Sequence, residues 1–273
     1  MAVFAKRPRP LSTERATLNH ELVLSNPKIQ RLRRLVGRRS ARLEEGVVVV
    51  EGEVLIREAH HAGWEIEAQF VAAEIEPLDL PGQTFVMAPG VMDKVASTQN
   101  AQPHIAIFRQ PVRSSELLRT ATFMVVAHGV ADPGNLGTMM RSAEASGADV
   151  FVVSPGTVDP TNPKVVRGSA GSYFRLPVLA VDSLQAIVRP GRSILATSSH
   201  QGVEYTEVQL DGDIALVFGN EAHGLKENGL IDQWVTIPQS GAAESLNVAM
   251  ACTVVCFEVA RQRRWPSGTV GER

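Results

Sequence analysis

The chain has 273 residues, 44% of them hydrophobic, and a formal net charge of −2, which fits a soluble globular protein of one large or two ordinary domains. Its longest apolar runs, such as 47–50 and 122–127, fall far short of the roughly 18–20 residues that a membrane-spanning helix needs. The N-terminal Met1-Ala2-Val3-Phe4-Ala5-Lys6-Arg7-Pro8 is basic and lacks the apolar core of a signal peptide, so a cytoplasmic location is expected.

The net charge hides an asymmetry. Residues 1–42 hold eleven Lys and Arg against Glu14 and Glu21, and the remainder of the chain is correspondingly acidic. Charge alone reads equally as an electrostatic footprint for a polyanion or as a solvated helix face. Residues 1–18 form a basic, Pro-containing tail. Ser25-Asn26-Pro27 then looks like a helix start, with a capping side chain before a first-turn proline. Ile29, Leu32, Leu35 and Val36 recur at helical spacing, and Lys28, Arg31, Arg33 and Arg34 mostly take the other faces. Next come an apolar strand at 47–50, a helix at 53–62, a strand at 66–71, a helix at 90–97 and a strand at 105–108. Residues 19–110 therefore read as a small α/β domain. Residues 111–120 carry Pro111, several charges and no apolar period, and read as a linker.

A second α/β domain occupies 121–266, ahead of a short tail at 267–273. Its strand candidates are 122–127, 150–153, 193–197, 214–218 and 234–237, with helices between most of them. Such alternation predicts a mainly parallel sheet covered on both faces. The last helix, about 245–263, is apolar nearly all round in its first half and so belongs in a core or a subunit interface. Cys252 and Cys256, the two cysteines of the chain, share one face of that helix and read as small core residues. No histidine falls at a zinc-like spacing from them, so no metal is expected.

Three segments carry polar residues that plain turns do not need. The first is Asp132-Pro133-Gly134-Asn135, followed by a helix at about 137–146 that contains Arg141. With Asn135 in the preceding turn, its side chain and that of Arg141 are expected to face one cleft. The junction of a strand end and a helix N-terminus is where open α/β sheets bind ligands. The second segment, Gly219-Asn220-Glu221, follows the strand at 214–218. It offers a close backbone approach at Gly219 and a carboxylate, Glu221, for which Arg141 is the natural partner. His223 reads as a turn residue. The third runs from Ile237-Pro238 to Glu244-Ser245-Leu246-Asn247, where Ser245 is the expected N-cap and Asn247 lies in the first turn. Read singly, each segment is also a plausible structural turn. No G-x-G-x-x-G is present in this set, which disfavours a nicotinamide enzyme.

Taken together and in this order, the three segments resemble the signature motifs of the SpoU/TrmH family of RNA ribose 2′-O-methyltransferases, in the SPOUT superfamily. The resemblance covers about residues 122–264. It implies a parallel sheet threaded into a deep trefoil knot, S-adenosylmethionine (AdoMet) as cofactor, and a homodimer with active sites at its interface. Carried over residue by residue, it implies catalytic roles for Asn135, Arg141, Glu221, Ser245 and Asn247. Cofactor contacts are implied at Thr197, Gly219, Ile237, Ser245 and Leu246. The N-terminal domain resembles, more loosely, an L30e-like RNA-binding domain, on Asn26-Pro27-Lys28-Ile29 and Val50-Glu51-Gly52. RNA contacts are then expected from Lys28, Arg31, Arg34, Arg38 and Arg167, the last in a further family-like segment at 164–171. Ribosomal RNA is favoured over tRNA because of the separate substrate domain. Competing readings are an RNA-binding ribosome-assembly factor without turnover, a tRNA ribose methyltransferase and a base methyltransferase.

Overall fold

The computed structural model describes residues 21–219, 229–241 and 245–264. The N-terminal region begins with α1 (Pro27–Gly37) and α2 (Arg39–Glu45). It continues through β1 (Val47–Glu51), α3 (Glu53–His61), β2 (Ile66–Val71), β3 (Gln83–Val86), α4 (Val91–Val95) and β4 (His104–Arg109). Its sheet has the order β1-β4-β2-β3. β4 is antiparallel to both β1 and β2, while β3 runs parallel to β2. As the apolar spacing predicts, α1 buries Ile29, Leu32 and Leu35, and Asn26 caps it by accepting a hydrogen bond from Lys28 N. α2 and β3 are not legible in the sequence. One is arginine-rich without an apolar period, and the other is a half-exposed edge strand.

The expected linker contains a short helix, α5 (Leu117–Thr120), whose Leu117 and Leu118 pack on the second domain. That domain comprises β5 (Phe123–Ala127), α6 (Pro133–Ser146), β6 (Val150–Val153), α7 (Pro163–Gly168), α8 (Ser172–Arg175) and β7 (Val178–Ala180). A 3₁₀ turn (Leu184–Ile187) leads to β8 (Ser193–Thr197), β9 (Val203–Glu204), β10 (Ile214–Phe218), β11 (Gln233–Thr236) and α9 (Val248–Arg264). The expected parallel sheet is present, in the order β7-β6-β5-β10-β8-β11-β9, and every pairing in it is parallel. Its central strands β5, β6 and β10 are buried along their whole length, which is why they read as unbroken apolar runs.

One crossing in this sheet is unusually tight. β8 and β9 follow each other in sequence, yet β11 lies between them, and Val235 is the register partner of both Thr197 and Val203. The connection 198–202 therefore passes over β11. At Gly202, where φ is +123°, an added Cβ would lie 2.6 Å from the Trp234 carbonyl carbon and oxygen. No side chain fits in that contact.

The two domains share a core. Val48, Val50, Ile56 and Trp64 belong to the same apolar cluster as Val165, Tyr173 and Phe174. Trp64 Nε1 donates to the Phe174 carbonyl at 3.0 Å. Arg42, one of the eleven cations of the basic segment, is buried at this junction. It pairs with Asp159 at 2.6 Å and donates to Thr161 Oγ1 and to the Leu35 carbonyl.

Candidate active site

The carboxyl edge of the parallel sheet gathers the motif residues. β10, β8 and β11 are neighbours, so their ends bring Gly219, Thr197 and Ile237 side by side. All three residues are half-buried. Beyond Ile237, the side-chain oxygen Oε1 of Gln239 is buried with no hydrogen-bond partner among the described residues. An acceptor placed beside adjoining strand ends lies where open α/β sheets take a ligand. Nothing in Ile237-Pro238-Gln239 marks that oxygen as buried, so the sequence does not single out Gln239.

The helix starts differ from expectation in two places. α6 begins at Pro133, and Asp132 is its N-cap, accepting from Asn135 N at 2.7 Å. Asn135 is thus inside the first helical turn rather than in the turn before it. Six helical positions separate it from Arg141, so the two side chains leave α6 on different faces. At the other start, Asn247 and not Ser245 caps α9, which begins at Val248. Its Oδ1 accepts from Ala249 N at 2.9 Å and Met250 N at 3.3 Å. Ser245 and Leu246 lie exposed just ahead of the cap.

The two corrected positions meet, because Asn247 Nδ2 donates to Asn135 Oδ1 at 2.9 Å. One helix turn or two further along, Ser142 Oγ and Thr253 Oγ1 are 2.6 Å apart. α6 and α9 therefore run parallel, with both N-termini at the carboxyl edge of the sheet, where the helix dipoles favour an anion. Close packing also fixes α6 on its other side, since a Cβ on Gly137 would lie 2.7 Å from Gly168 and Val165 backbone atoms of α7. Arg141 lies on an exposed stripe of α6 with Gly134, Thr138 and Ala145, and forms no ion pair among the described residues. Glu221, its expected partner, lies outside the described residues, as do Asn220, His223 and Glu244.

His128 follows β5 at this same edge. Its backbone N donates to the Phe218 carbonyl, and its Nδ1 is 2.6 Å from Ser154 Oγ. Burial pushes its pKa below the ordinary histidine value. Cys252 and Cys256 are fully buried as free thiols with sulfurs 3.7 Å apart. Among the described residues no group of three or more His, Cys, Asp or Glu is placed to hold a metal, and no helix is long and apolar enough to cross a membrane.

The basic helix is less free than its sequence suggests. Arg31 pairs with Glu45 and Glu67, Arg34 pairs with Glu45, and the Lys28 ammonium sits 3.7 Å from the Phe85 ring centroid. Arg33 and Arg38 are the exposed cations of α1 and its C-cap without such partners among the described residues. Arg167, on α7, is exposed and reaches Ser97 Oγ of the N-terminal domain at 3.4 Å.

A parallel α/β domain with two helix starts joined at its carboxyl edge, attached to a smaller mixed-sheet domain, defines a ligand-binding catalytic unit with a docked accessory module. Residues 122–257 match the SpoU rRNA Methylase family and residues 26–106 the MRM3-like substrate binding domain. The 23S rRNA (guanosine(2553)-2′-O)-methyltransferase RlmP of Bacillus subtilis is 33% identical over 80% of this chain and 90% of its own length. The 23S rRNA (uridine(2479)-2′-O)-methyltransferase of Streptomyces viridochromogenes is 28% identical over 92% of this chain and 95% of its own. The crystal structure of the SpoU methyltransferase AviRb from Streptomyces viridochromogenes, in complex with AdoMet, superposes with a TM-score of 0.78. It is 28% identical, over 88% of this chain and 99% of that one. The chain belongs to the SpoU family of AdoMet-dependent RNA ribose 2′-O-methyltransferases.

Proposed function

We propose that the protein methylates a ribose 2′-hydroxyl of large-subunit ribosomal RNA, as a homodimer and without a metal. The observation that carries this reading is the Asn135–Asn247 hydrogen bond, which ties two motif helices together at the carboxyl edge of the sheet, with Arg141 exposed on one of them. The 23S rRNA specificity printed for the two relatives above supports the choice of RNA.

Thr197, Gly219, Ile237, Ser245 and Leu246 are the residues that would hold AdoMet, and the orphaned Gln239 Oε1 suits a donor of that ligand. AdoMet would supply a methyl group on a sulfonium for the ribose oxygen, whose hydroxyl proton would pass to the substrate's own phosphate or to water. The protein's part is to hold that oxygen in line. Arg141 presents an exposed guanidinium at this edge, a planar fork of donors suited to gripping the target ribose and its phosphate. Asn135, held by Asn247, orients the ribose from the neighbouring face. Glu221 is assigned to orienting Arg141 on its motif alone. The trefoil threading is supported by β11 lying beneath the 198–202 connection with backbone packed on Gly202.

A second copy is supported by what α9 leaves uncovered. Met250 is 62% exposed and Phe257 49%, with Leu246 just ahead of the helix at 37%. This is an apolar stripe on the helix that carries Asn247, and such stripes mark interfaces.

The test is transfer of labelled methyl from AdoMet to unmodified large-subunit rRNA and tRNA transcripts, followed by nucleoside analysis. A 2′-O-methylnucleoside in rRNA is expected. Label confined to tRNA, or found on a base, overturns the substrate or the acceptor; AdoMet binding without transfer to either transcript points to an assembled particle as substrate or to a binding role, and failure to bind AdoMet overturns the enzyme reading.

A further inference from the structure

Glu51, at the end of β1, is a buried carboxylate that serves one loop. It accepts hydrogen bonds from Ser97 N at 2.9 Å, Ser97 Oγ at 2.6 Å, Thr98 Oγ1 at 2.5 Å and Gln102 N at 3.4 Å. Burying a charge is unfavourable unless its oxygens are fully bonded, and here all of those bonds fix the connection 97–102 between α4 and β4. The loop so fixed presents Gln99, Asn100 and Gln102 to solvent. Its backbone needs none of these three side chains for the contacts with Glu51.

The place of the loop gives it a use. Ser97 meets Arg167 across the seam between the domains. The next residue, Gly168, abuts the first turn of α6, with its Cβ position 3.7 Å from the Gly134 carbonyl. Asn135 follows in that turn. A row of contacts thus runs from the loop, past the exposed Arg167 guanidinium, to the motif residues of the catalytic edge. Lys164, one turn before Arg167 on α7, adds a second exposed cation.

We propose that the 97–102 loop reads unpaired bases next to the methylated nucleotide, through the Gln99 and Asn100 amides, while Arg167 and Lys164 hold the intervening phosphates. Neutral amides donate and accept at once, which suits base edges, and splayed single-stranded bases are the usual targets of sequence-specific RNA recognition. Cations alone would attract any RNA strand. Because Glu51 orders the loop beforehand, binding bears little ordering cost. The inference rests on the methyltransferase reading and adds to it a source of sequence selectivity outside the catalytic domain.

The test uses the full-length protein and large-subunit rRNA transcripts carrying 4-thiouridine. Ultraviolet crosslinking is followed by mass spectrometry of the tryptic peptide spanning 95–109, which contains the whole loop. Methyl-transfer kinetics are measured in parallel for Gln99→Ala/Asn100→Ala, whose exposed side chains leave folding intact. A crosslink within 97–102 is expected. So are a KM for RNA raised about tenfold or more, a kcat within about twofold, unchanged AdoMet binding and a loosened preference at positions flanking the methylated nucleotide. Methyl transfer by the wild type with no such crosslink and an unchanged KM overturns the loop's role and leaves the enzyme reading standing. A crosslink on the loop without any methyl transfer overturns the enzyme reading, and with it the loop's place beside a methylated nucleotide, and leaves RNA contact alone.

Discussion

Helices α1 and α6 open with the same local chemistry. Asn26 Oδ1 accepts from Lys28 N at 2.9 Å ahead of Pro27, and Asp132 Oδ1 accepts from Asn135 N at 2.7 Å ahead of Pro133. Their surroundings then separate them. α1 lies over the N-terminal sheet, and Arg31 and Arg34 on it are taken up by Glu45 and Glu67. α6 leaves the carboxyl end of a parallel strand, meets Asn247 in its first turn and leaves Arg141 exposed without an ion pair among the described residues. A capped, proline-led helix start is thus only a local device. What turns it into a site is the strand edge it follows and the second helix that meets it.

The difference can be probed by removing one arginine at a time. The largest effect on stability belongs to Arg42, which ties α2 to Asp159 and Thr161 across the domain seam. Arg42→Ala takes from Asp159 its close cation, leaving it Arg39 at 3.9 Å and the Thr161 hydrogen bonds, and is expected to cost about 2–3 kcal/mol in urea unfolding. A loss below 1 kcal/mol means that the seam is far looser than its geometry. Arg141→Ala is expected to leave stability within about 0.5 kcal/mol of wild type, and to lower methyl transfer by roughly 10²–10³-fold, as removal of a charge-stabilising group does. Arg34→Ala should lower RNA methylation by no more than about threefold, as expected of a cation already partnered by Glu45. If Arg34→Ala is as damaging as Arg141→Ala, the contrast between the two helices fails.

The caps sharpen the same contrast at smaller scale. Asn26→Ala and Asp132→Ala are each expected to cost about 1 kcal/mol, measurable by thermal or urea unfolding. Only Asp132→Ala should also reduce kcat, because the turn it holds carries Asn135. Equal activity of the two variants would make Asp132 purely a cap.

How far the sequence alone reveals all this depends on whether a feature is local. β6, β8 and β10 are readable to the residue because buried parallel strands are continuous apolar runs bounded by polar residues. β3, β7 and β9 escape because they are short and only partly covered, so neither alternation nor an apolar run marks them. Both Ser245 and Asn247 belong to the residue types that cap helices. The choice of Asn247 is made by its contact with Asn135, 112 positions away. Arg31 looks free in sequence for a similar reason, since Glu67 lies 36 positions on. In sequence Ser97 falls at the end of an expected helix and nothing is drawn from Thr98-Gln99-Asn100, because the bonds that order this segment come from Glu51, in a strand that otherwise reads as core.

The two regions should also come apart on acidification, and in different windows. At the catalytic edge, burial depresses the pKa of His128 below its ordinary value of 6.5. The unfolded chain therefore binds a proton there more readily than the folded one. Stability contributed by neutral His128 is present above pH 6.5 and is lost as pH falls through the lowered value. Around α1, burial opposes the charge of Glu45, but its hydrogen bonds and ion pairs with Arg31 and Arg34 prevail and hold its pKa below the ordinary 4.5. That contribution is intact at neutral pH and is lost only as pH drops below 4.5 and through the depressed value. Because Arg34 is about half exposed, the Glu45 pairs should be worth no more than about 1 kcal/mol. Hydrogen exchange followed by mass spectrometry across pH 7 to 4 separates the two. Protection around residues 123–128 and 150–158 should weaken first, while residues 27–45 hold until the lower window. His128→Gln should flatten the upper slope and leave the lower one in place. Simultaneous loss in both segments, or an upper slope that survives the substitution, would mean that the domains unfold as one unit through their shared core and that His128 does not set the first step.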